Sequence, residues 1–558
     1  MNTSKKILIV GGVAGGATAA ARARRLDESA QITLLERGPY VSFANCGLPY
    51  FISGDIAKRS KLLLQTPDGF YSRYRVVVKI HTEALSIDTH SKTLKALGPE
   101  GEEVIPYDVL ILAQGGNPIV PALPGADLDH TFKLWTVPDM DRIHKYIKEQ
   151  APKTAVVAGG GFIGLEMAEA LKERGLEVTV VELAPQILTV LDPDIAMQAQ
   201  KVLESHGVQV RTGVGLKEVK STKTVLLSDG SELSADLVLF SVGVRPELTL
   251  VKQAGLELGT SGGLLVNDYL QTSDPSIWAA GDMVEVTHKV SGRKVRVPLA
   301  GPANRQGRIA ATNALSGGKI ESLVKYRGAL GTSVVKIFDH TAASTGLTLK
   351  GAKDAGIEAH AVVVHKDHHA SYYPGSKELS LKLVYEKVTG RLLGGQAFGA
   401  EGVEKRIDVL AVALQARMTL EDLSELDLAY APPYSSANDP INLAAFVGAN
   451  DLSGFSPLVT VEEFLEEYQE GKDLLVDLRT LGEYSKGHHP QAVHLSVDEL
   501  RDRFGELDPN KTLYVYCQAG FRGHIALRIL KDLGFQKVWN ITGGWTSMVL
   551  NSRIHIEK

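Results

Sequence analysis

Only two cysteines occur among the 558 residues, Cys46 and Cys517, near opposite ends of the chain. A thiol can be a nucleophile, a redox centre or a small buried hydrophobe, so its neighbours decide. Around the first runs Ser42-Phe43-Ala44-Asn45-Cys46-Gly47-Leu48-Pro49-Tyr50. Asn, Gly and Pro bracket the sulfur in place of apolar core residues, which argues for a redox thiol. No second cysteine is close by, so redox chemistry at Cys46 must pass through a sulfenic acid or a mixed disulfide with an external thiol. Around the second runs Cys517-Gln518-Ala519-Gly520-Phe521-Arg522, between a predicted strand, Leu513 to Tyr516, and a predicted helix, Gly523 to Leu533. A strand-to-helix turn aims backbone N–H groups at an anion, which favours a thiolate at Cys517 and cradles a persulfide. No metal site is expected.

The elements that must position Cys46 read as nucleotide-binding ones. An apolar strand at residues 6–10 leads into Gly11-Gly12-Val13-Ala14-Gly15-Gly16, an Ala-rich helix to Leu26, and a second strand, Ile32 to Leu35, ending in Glu36. In such a layout the glycine turn and helix N-terminus meet a pyrophosphate and the acid binds a ribose hydroxyl. Gly11, Gly12, Gly16 and Glu36 are the candidate contacts, with Val13 replacing the usual middle glycine. The layout recurs in full form: strand Thr154 to Ala158, then Gly159-Gly160-Gly161-Phe162-Ile163-Gly164, a helix to Arg174, and strand Glu177 to Val181 ending in Glu182. Gly159, Gly161, Gly164 and Glu182 are the second set. A carboxylate at Glu182, with no Lys or Arg in Leu183-Ala184-Pro185, accepts a 2′-hydroxyl and repels a 2′-phosphate, so NADH is expected over NADPH.

A third segment, Thr272-Ser273-Asp274-Pro275-Ser276-Ile277-Trp278-Ala279-Ala280-Gly281-Asp282, resembles the second FAD motif of the two-dinucleotide-binding flavoprotein reductases. Tyr107 to Gly115 and Val242-Gly243-Val244-Arg245-Pro246 resemble that family's domain-crossing strands, with Gln114 where a Thr is more usual. The resemblance covers residues 5–450. It implies that Gly281 and Asp282 hold FAD, Asp282 at the ribityl chain. Ser42-Phe43 with Asn-Cys-Gly-Leu-Pro-Tyr is similar to the coenzyme A-disulfide reductase group, which implies a mixed disulfide with coenzyme A at Cys46 and substrate contacts from Ser42 and Asn45. That group holds the coenzyme's phosphates along the first helix, where Thr18, Arg22 and Arg25 stand; the alternative is that the two arginines are solvated surface charges. Arg73 and Arg75 could add to the same phosphate site but are read as surface residues. The resemblance also implies a homodimer in which two tyrosines reach the other chain's cysteine. Tyr372 and Tyr430 match, beside Tyr373 and Tyr434, and a phenol there can protonate the leaving thiolate.

The tail resembles rhodaneses. Four residues separate Cys517 from Arg522, where the phosphatases of the same layout have five. Val476-Asp477-Leu478-Arg479, Glu483 and Gly543-Gly544-Trp545 agree with it, Asp477 and Arg479 as scaffold. The expected fold is α/β: two Rossmann-like dinucleotide-binding domains for FAD (1–150 and 271–326) and NAD (151–270), an α+β dimerisation domain (327–450), a linker (451–457) and a C-terminal α/β rhodanese domain (458–558).

Net charge is only −5, which gives no polyanion-seeking field, so no nucleic-acid partner is expected. No apolar run approaches 18 residues and the start lacks a cleavage site, so neither membrane nor export is expected. One disulfide between such distant cysteines is possible, but two in so long a chain fit a reducing cytoplasm. The expected activity is reduction of coenzyme A disulfide, coenzyme A persulfide or polysulfide by FAD and NADH through Cys46, with Cys517 and Arg522 transferring sulfane sulfur; the partners are small-molecule thiols, disulfides or persulfides. The rivals are an NADH peroxidase or oxidase using a Cys46 sulfenic acid, a pure sulfurtransferase, and a non-enzymatic redox sensor.

Overall fold

The computed structural model describes residues 4–317 and 320–557. The chain divides into two compact units, Met1–Pro185 with Gly207–Gly331, and Gln186–His206 with Thr332–Lys558. In the first unit one parallel sheet has the order Ile277–Ala279, Val109–Leu112, Lys6–Val10, Gln31–Leu35, Val76–Lys79. Ile7 to Val10 are all buried, as expected of a central strand covered on both faces. A second parallel sheet has the order Val208–Thr212, Glu177–Glu182, Thr154–Ala158, Leu237–Phe240, Thr131–Lys133. In each sheet the glycine turn leaves the C-terminal end of the central strand and enters a helix, Ala14–Leu26 or Phe162–Glu173. That is where open parallel sheets bind ligands.

The second unit holds an antiparallel sheet, ordered Ser333–Ile337, His340–Gly346, Leu392–Gly399, Glu378–Glu386, Ala359–Asp367, and a parallel one, ordered Leu458–Val459, Val538–Ile541, Leu513–Tyr516, Leu474–Asp477, Ala492–His494. Helix Pro193–Ser205 lies between strands of the second dinucleotide sheet in sequence, yet it belongs to this unit. A buried apolar face (Ile195, Ala196, Ala199, Leu203) and buried ion pairs go with that placement. Lys382 is buried with its Nζ 3.2 Å from Asp192 and 2.9 Å from Asp194, and an ammonium is buried only with such partners. The segment read as a linker from Asp451 begins inside helix Pro440–Leu452. Asp451 accepts hydrogen bonds from His360, Tyr385 and the Leu458 N–H, so it is anchored at both ends. Among the described residues no helix is long and apolar enough to cross a membrane.

Candidate active site

The Cys46 loop is laced to the first glycine turn. The Ser42 N–H donates to Gly12 O at 2.8 Å and the Ala44 N–H to Leu62 O at 2.8 Å. Ser42 makes the turn at φ 49°, a left-handed state uncommon for a residue with a side chain. Asn45 opens a helical turn, Asn45–Gly47, that continues as helix Leu48–Ser53. Its Oδ1 accepts the Cys46 N–H at 3.0 Å and lies 3.7 Å from Sγ. Cys46 is a free thiol open to solvent. Enough protein surrounds the sulfur that burial pushes the thiol up, and the carboxylates of Glu166 and Asp282 push the same way. Glu166 follows the second glycine turn, and it accepts a hydrogen bond from the Tyr50 hydroxyl at 3.1 Å. Both dinucleotide motifs therefore converge on this sulfur.

The two turns are built alike. A Cβ at Gly16 would lie 1.8 Å from Gly11 O, and one at Gly164 2.0 Å from Gly159 O, so neither position admits a side chain. Glu36 accepts the N–H groups of Gly12 and Gly38, both at 2.8 Å. Glu182 accepts those of Gly160 and Ala184, both at 2.7 Å. Each carboxylate is thus fixed at its strand end with lone pairs left for a ribose. Gly161 has open space where a Cβ would stand, which leaves the backbone free for a close pyrophosphate. The Gly281 N–H donates to Gln306 Oε1 at 2.7 Å. Asp282 is pushed up to about 6 by burial alone. Gln114 Oε1 is buried without a hydrogen-bond partner among the described residues. A buried orphan acceptor and a desolvated carboxylate suit a hydroxyl-rich flavin dinucleotide, whose donors would satisfy both.

On helix Ala14–Leu26, the Thr18 hydroxyl donates to Asn304 Oδ1 at 2.8 Å and Arg22 Nε to Thr312 Oγ1 at 3.1 Å. Arg25 is exposed. Arg22 is lowered by burial and then by its like-charged neighbours Arg308 and Arg25, so three guanidinium groups gather there. In the second unit the Tyr372 and Tyr430 hydroxyls are 3.0 Å apart, on side chains 74% and 48% exposed. Tyr373 instead packs edge-on against His369, and Tyr434 stands apart in solvent.

Cys517 directly follows strand Leu513–Tyr516, and helix Phe521–Asp532 comes after the loop. Its Sγ accepts the Gly520 N–H at 3.2 Å. Arg522 makes two 2.7 Å bonds to the Glu483 carboxylate, which also caps its own helix at Thr480. Glu483 is held down to about 2, first by Arg522. Asp477 and Arg479 form a fully buried ion pair, with the Arg479 guanidinium over the Trp545 ring.

Residues 5–307 match the pyridine nucleotide-disulphide oxidoreductase family. The chain belongs to that family. Residues 332–439 match the family's dimerisation domain, and residues 460–550 match the rhodanese-like domain. A coenzyme A disulfide reductase of Staphylococcus haemolyticus is 34% identical over 444 residues, 79% of this chain and 99% of that protein. The reduced Bacillus anthracis CoADR-RHD superposes with a TM-score of 0.94 at 42% identity, over 98% of this chain and 97% of that one. An NAD-dependent persulfide reductase from A. fulgidus superposes at 0.90 and 36% identity, over 97% and 99%.

For this oxidoreductase the sequence did not single out Glu166, Tyr50, Arg308 or the Glu483–Arg522 pairing. Glu166 had a local signal, since an acid two residues past Gly164 stands where a pyrophosphate brings negative charge. Arg308 and the Glu483 pairing had none, because each depends on elements brought together only by folding.

Proposed function

We propose that this chain is an FAD- and NADH-dependent reductase of coenzyme A disulfide, coenzyme A persulfide or polysulfide, acting through Cys46, with sulfane-sulfur transfer at Cys517. The observation that carries this is one solvent-open, unpaired thiol beside two dinucleotide turns, with no second cysteine near it in the sequence. Its disulfide partner must then come from the substrate.

The Gly11, Gly12 and Gly16 turn, Glu36, Gly281 and Asp282 hold FAD, and Gly159, Gly161, Gly164 and Glu182 hold NADH. Bound there, the flavin supplies a two-electron relay between the nicotinamide and the sulfur. The Cys46 thiolate attacks the coenzyme-bearing sulfur of a coenzyme A persulfide, forms the mixed disulfide and displaces hydrosulfide. With coenzyme A disulfide the same attack displaces coenzyme A thiolate. Two electrons from NADH then cleave the mixed disulfide back to the Cys46 thiolate and coenzyme A thiolate. In a homodimer, Tyr372 and Tyr430 of one chain give the departing thiolate of the other a hydrogen bond or proton. Thr18, Arg22 and Arg25, joined by Arg308, bind the coenzyme's phosphates, and Ser42 and Asn45 orient its thiol end. At the other site the Cys517 thiolate takes the outer sulfur of a persulfide or polysulfide, releasing the donor thiolate, and passes it to coenzyme A thiolate. That makes the persulfide Cys46 consumes. Arg522 balances the anionic persulfide. We place the enzyme in the cytoplasm, where unpaired thiols stay reduced.

Anaerobic NADH oxidation with coenzyme A disulfide, coenzyme A persulfide and polysulfide tests the reading. A sulfur acceptor is expected to turn over fastest, Cys46→Ser to lose about a thousandfold or more, and Cys517→Ser to lose the sulfur-transfer share only. Rapid NADH consumption by oxygen or peroxide, with every sulfur acceptor poor, would make it an oxidase or peroxidase.

A further inference from the structure

The outer strand of the antiparallel sheet, Ala359–Asp367, does not end in solvent. A single hydroxyl, that of Thr542, accepts the Val363 N–H at 2.9 Å and donates to the Val363 carbonyl at 3.2 Å. One side chain of the rhodanese-like domain thereby bonds both backbone groups of Val363 on a strand of the dimerisation domain. Two residues along, His365 is buried with Nδ1 2.8 Å from Ser380 Oγ and Nε2 2.9 Å from Ser547 Oγ. The Ser380 hydroxyl proton is committed to Gln198 Oε1 at 2.7 Å. Nδ1–H must therefore donate to Ser380, and Nε2 must accept the Ser547 hydroxyl. Burial holds His365 down to about 4, so the ring is neutral at neutral pH as this arrangement requires.

Thr542 and Ser547 flank the segment that holds the thiol loop. The Trp545 N–H donates to Cys517 O at 2.8 Å, and the Thr546 N–H to Gln518 O at 3.0 Å. Gln518 Nε2 returns a bond to Thr546 Oγ1 at 3.0 Å. There is no slack between these layers. A Cβ on Gly544, which has φ 56°, would lie 2.4 Å from Cys517 O. One on Gly543 would lie 2.0 Å from Ser547 Oγ and 3.2 Å from His365 Nε2. The edge strand is thereby joined, through Thr542 and Ser547, to the backbone that carries Cys517.

We infer that Thr542 and His365 are positioning residues for Cys517, through which the dimerisation sheet sets the geometry of the sulfur-transfer loop. The kinetic consequence rests on the reading of Cys517 as a sulfur carrier; the structural one does not.

Full-length Thr542→Val and His365→Leu test it by two measurements: hydrogen exchange of the 517–522 amides, and sulfur transfer from thiosulfate to cyanide. Each variant is expected to exchange about tenfold faster in that loop, with strand Leu474–Asp477 unchanged. The kcat for transfer is expected to fall about tenfold at unchanged thiosulfate KM, and Thr542→Ser to restore both properties. Loop exchange unchanged in both variants, or exchange raised evenly through the rhodanese-like domain, would overturn the inference. Full-rate transfer by Cys517→Ser would overturn the sulfur-carrier reading instead, with the exchange measurement still deciding the positioning.

Discussion

At Cys46, the groups that surround the thiol work against its ionisation. Burial leads, and the carboxylates of Glu166 and Asp282 reinforce it. Glu166 is itself pushed up by burial, with Tyr50 hydrogen-bonded to it and Glu169 adding repulsion. Removing one negative charge should lower the thiol's pKa, since the thiolate then meets less repulsion. Glu166→Gln is accordingly expected to react several-fold faster with iodoacetamide at Cys46 near pH 8, the midpoint of the rate profile moving to lower pH. A profile that stays in place would show that Glu166 does not act on the sulfur. Around Cys517 the paired charges are of another kind. Glu483 has both oxygens on Arg522, so that guanidinium is aligned before any anion arrives.

Between elements, the rhodanese-like domain is held by the first turn of its helix Val461–Glu467. Glu463 bonds His360 Nε2 at 3.0 Å, while Asp451 bonds His360 Nδ1 at 2.8 Å. Burial alone would lower His360, but the two carboxylates outweigh it and raise the imidazole to about 9. The Tyr385 hydroxyl also faces His360, Lys353 pairs with Glu463 at 3.9 Å, and Lys382 and Glu462 lie nearby. A folded-state pKa above the ordinary 6.5 contributes stability that is fully present below pH 6.5 and lost as pH rises through about 9. The side chain is 4% exposed, so the contribution is on the order of 3 kcal/mol. Raising the pH from 7 to 9.5 should therefore speed limited proteolysis within residues 453–457. In His360→Gln the cleavage rate should start higher and change little over that range. Equal pH dependence in both proteins would remove His360 from the joint.

For the whole molecule, the exposed Tyr372–Tyr430 pair matters only if another chain covers it. The prediction is a solution mass of two 60.1 kDa chains, measured by sedimentation. Dilution to monomer should abolish NADH-linked disulfide reduction while transfer from thiosulfate to cyanide continues, because the Cys517 loop is complete within one chain. Equal loss of both activities would refute that division.

Much of this was legible in the residues, and the reason is locality. The glycine turns, Glu36 and Glu182 at their strand ends, and the six-residue Cys517 loop each depend on covalent neighbours, which set the backbone dihedrals and the direction of nearby N–H groups. Sequence by itself therefore determined two dinucleotide turns, a thiol with no second cysteine nearby, and a second thiol at a helix start. Folding decided what lies across from them. Tyr50 meets Glu166 over 116 residues, Arg522 meets Glu483 over 39, Tyr372 meets Tyr430 over 58, and Thr542 caps Val363 over 179. Helix Pro193–Ser205 meets the second unit in the same way, through contacts far apart in the chain such as Asp194 with the buried Lys382. Such contacts follow from how separated elements pack and from the cost of burying an unpaired charge or hydrogen-bonding group. Neither is written in the spacing of neighbouring residues.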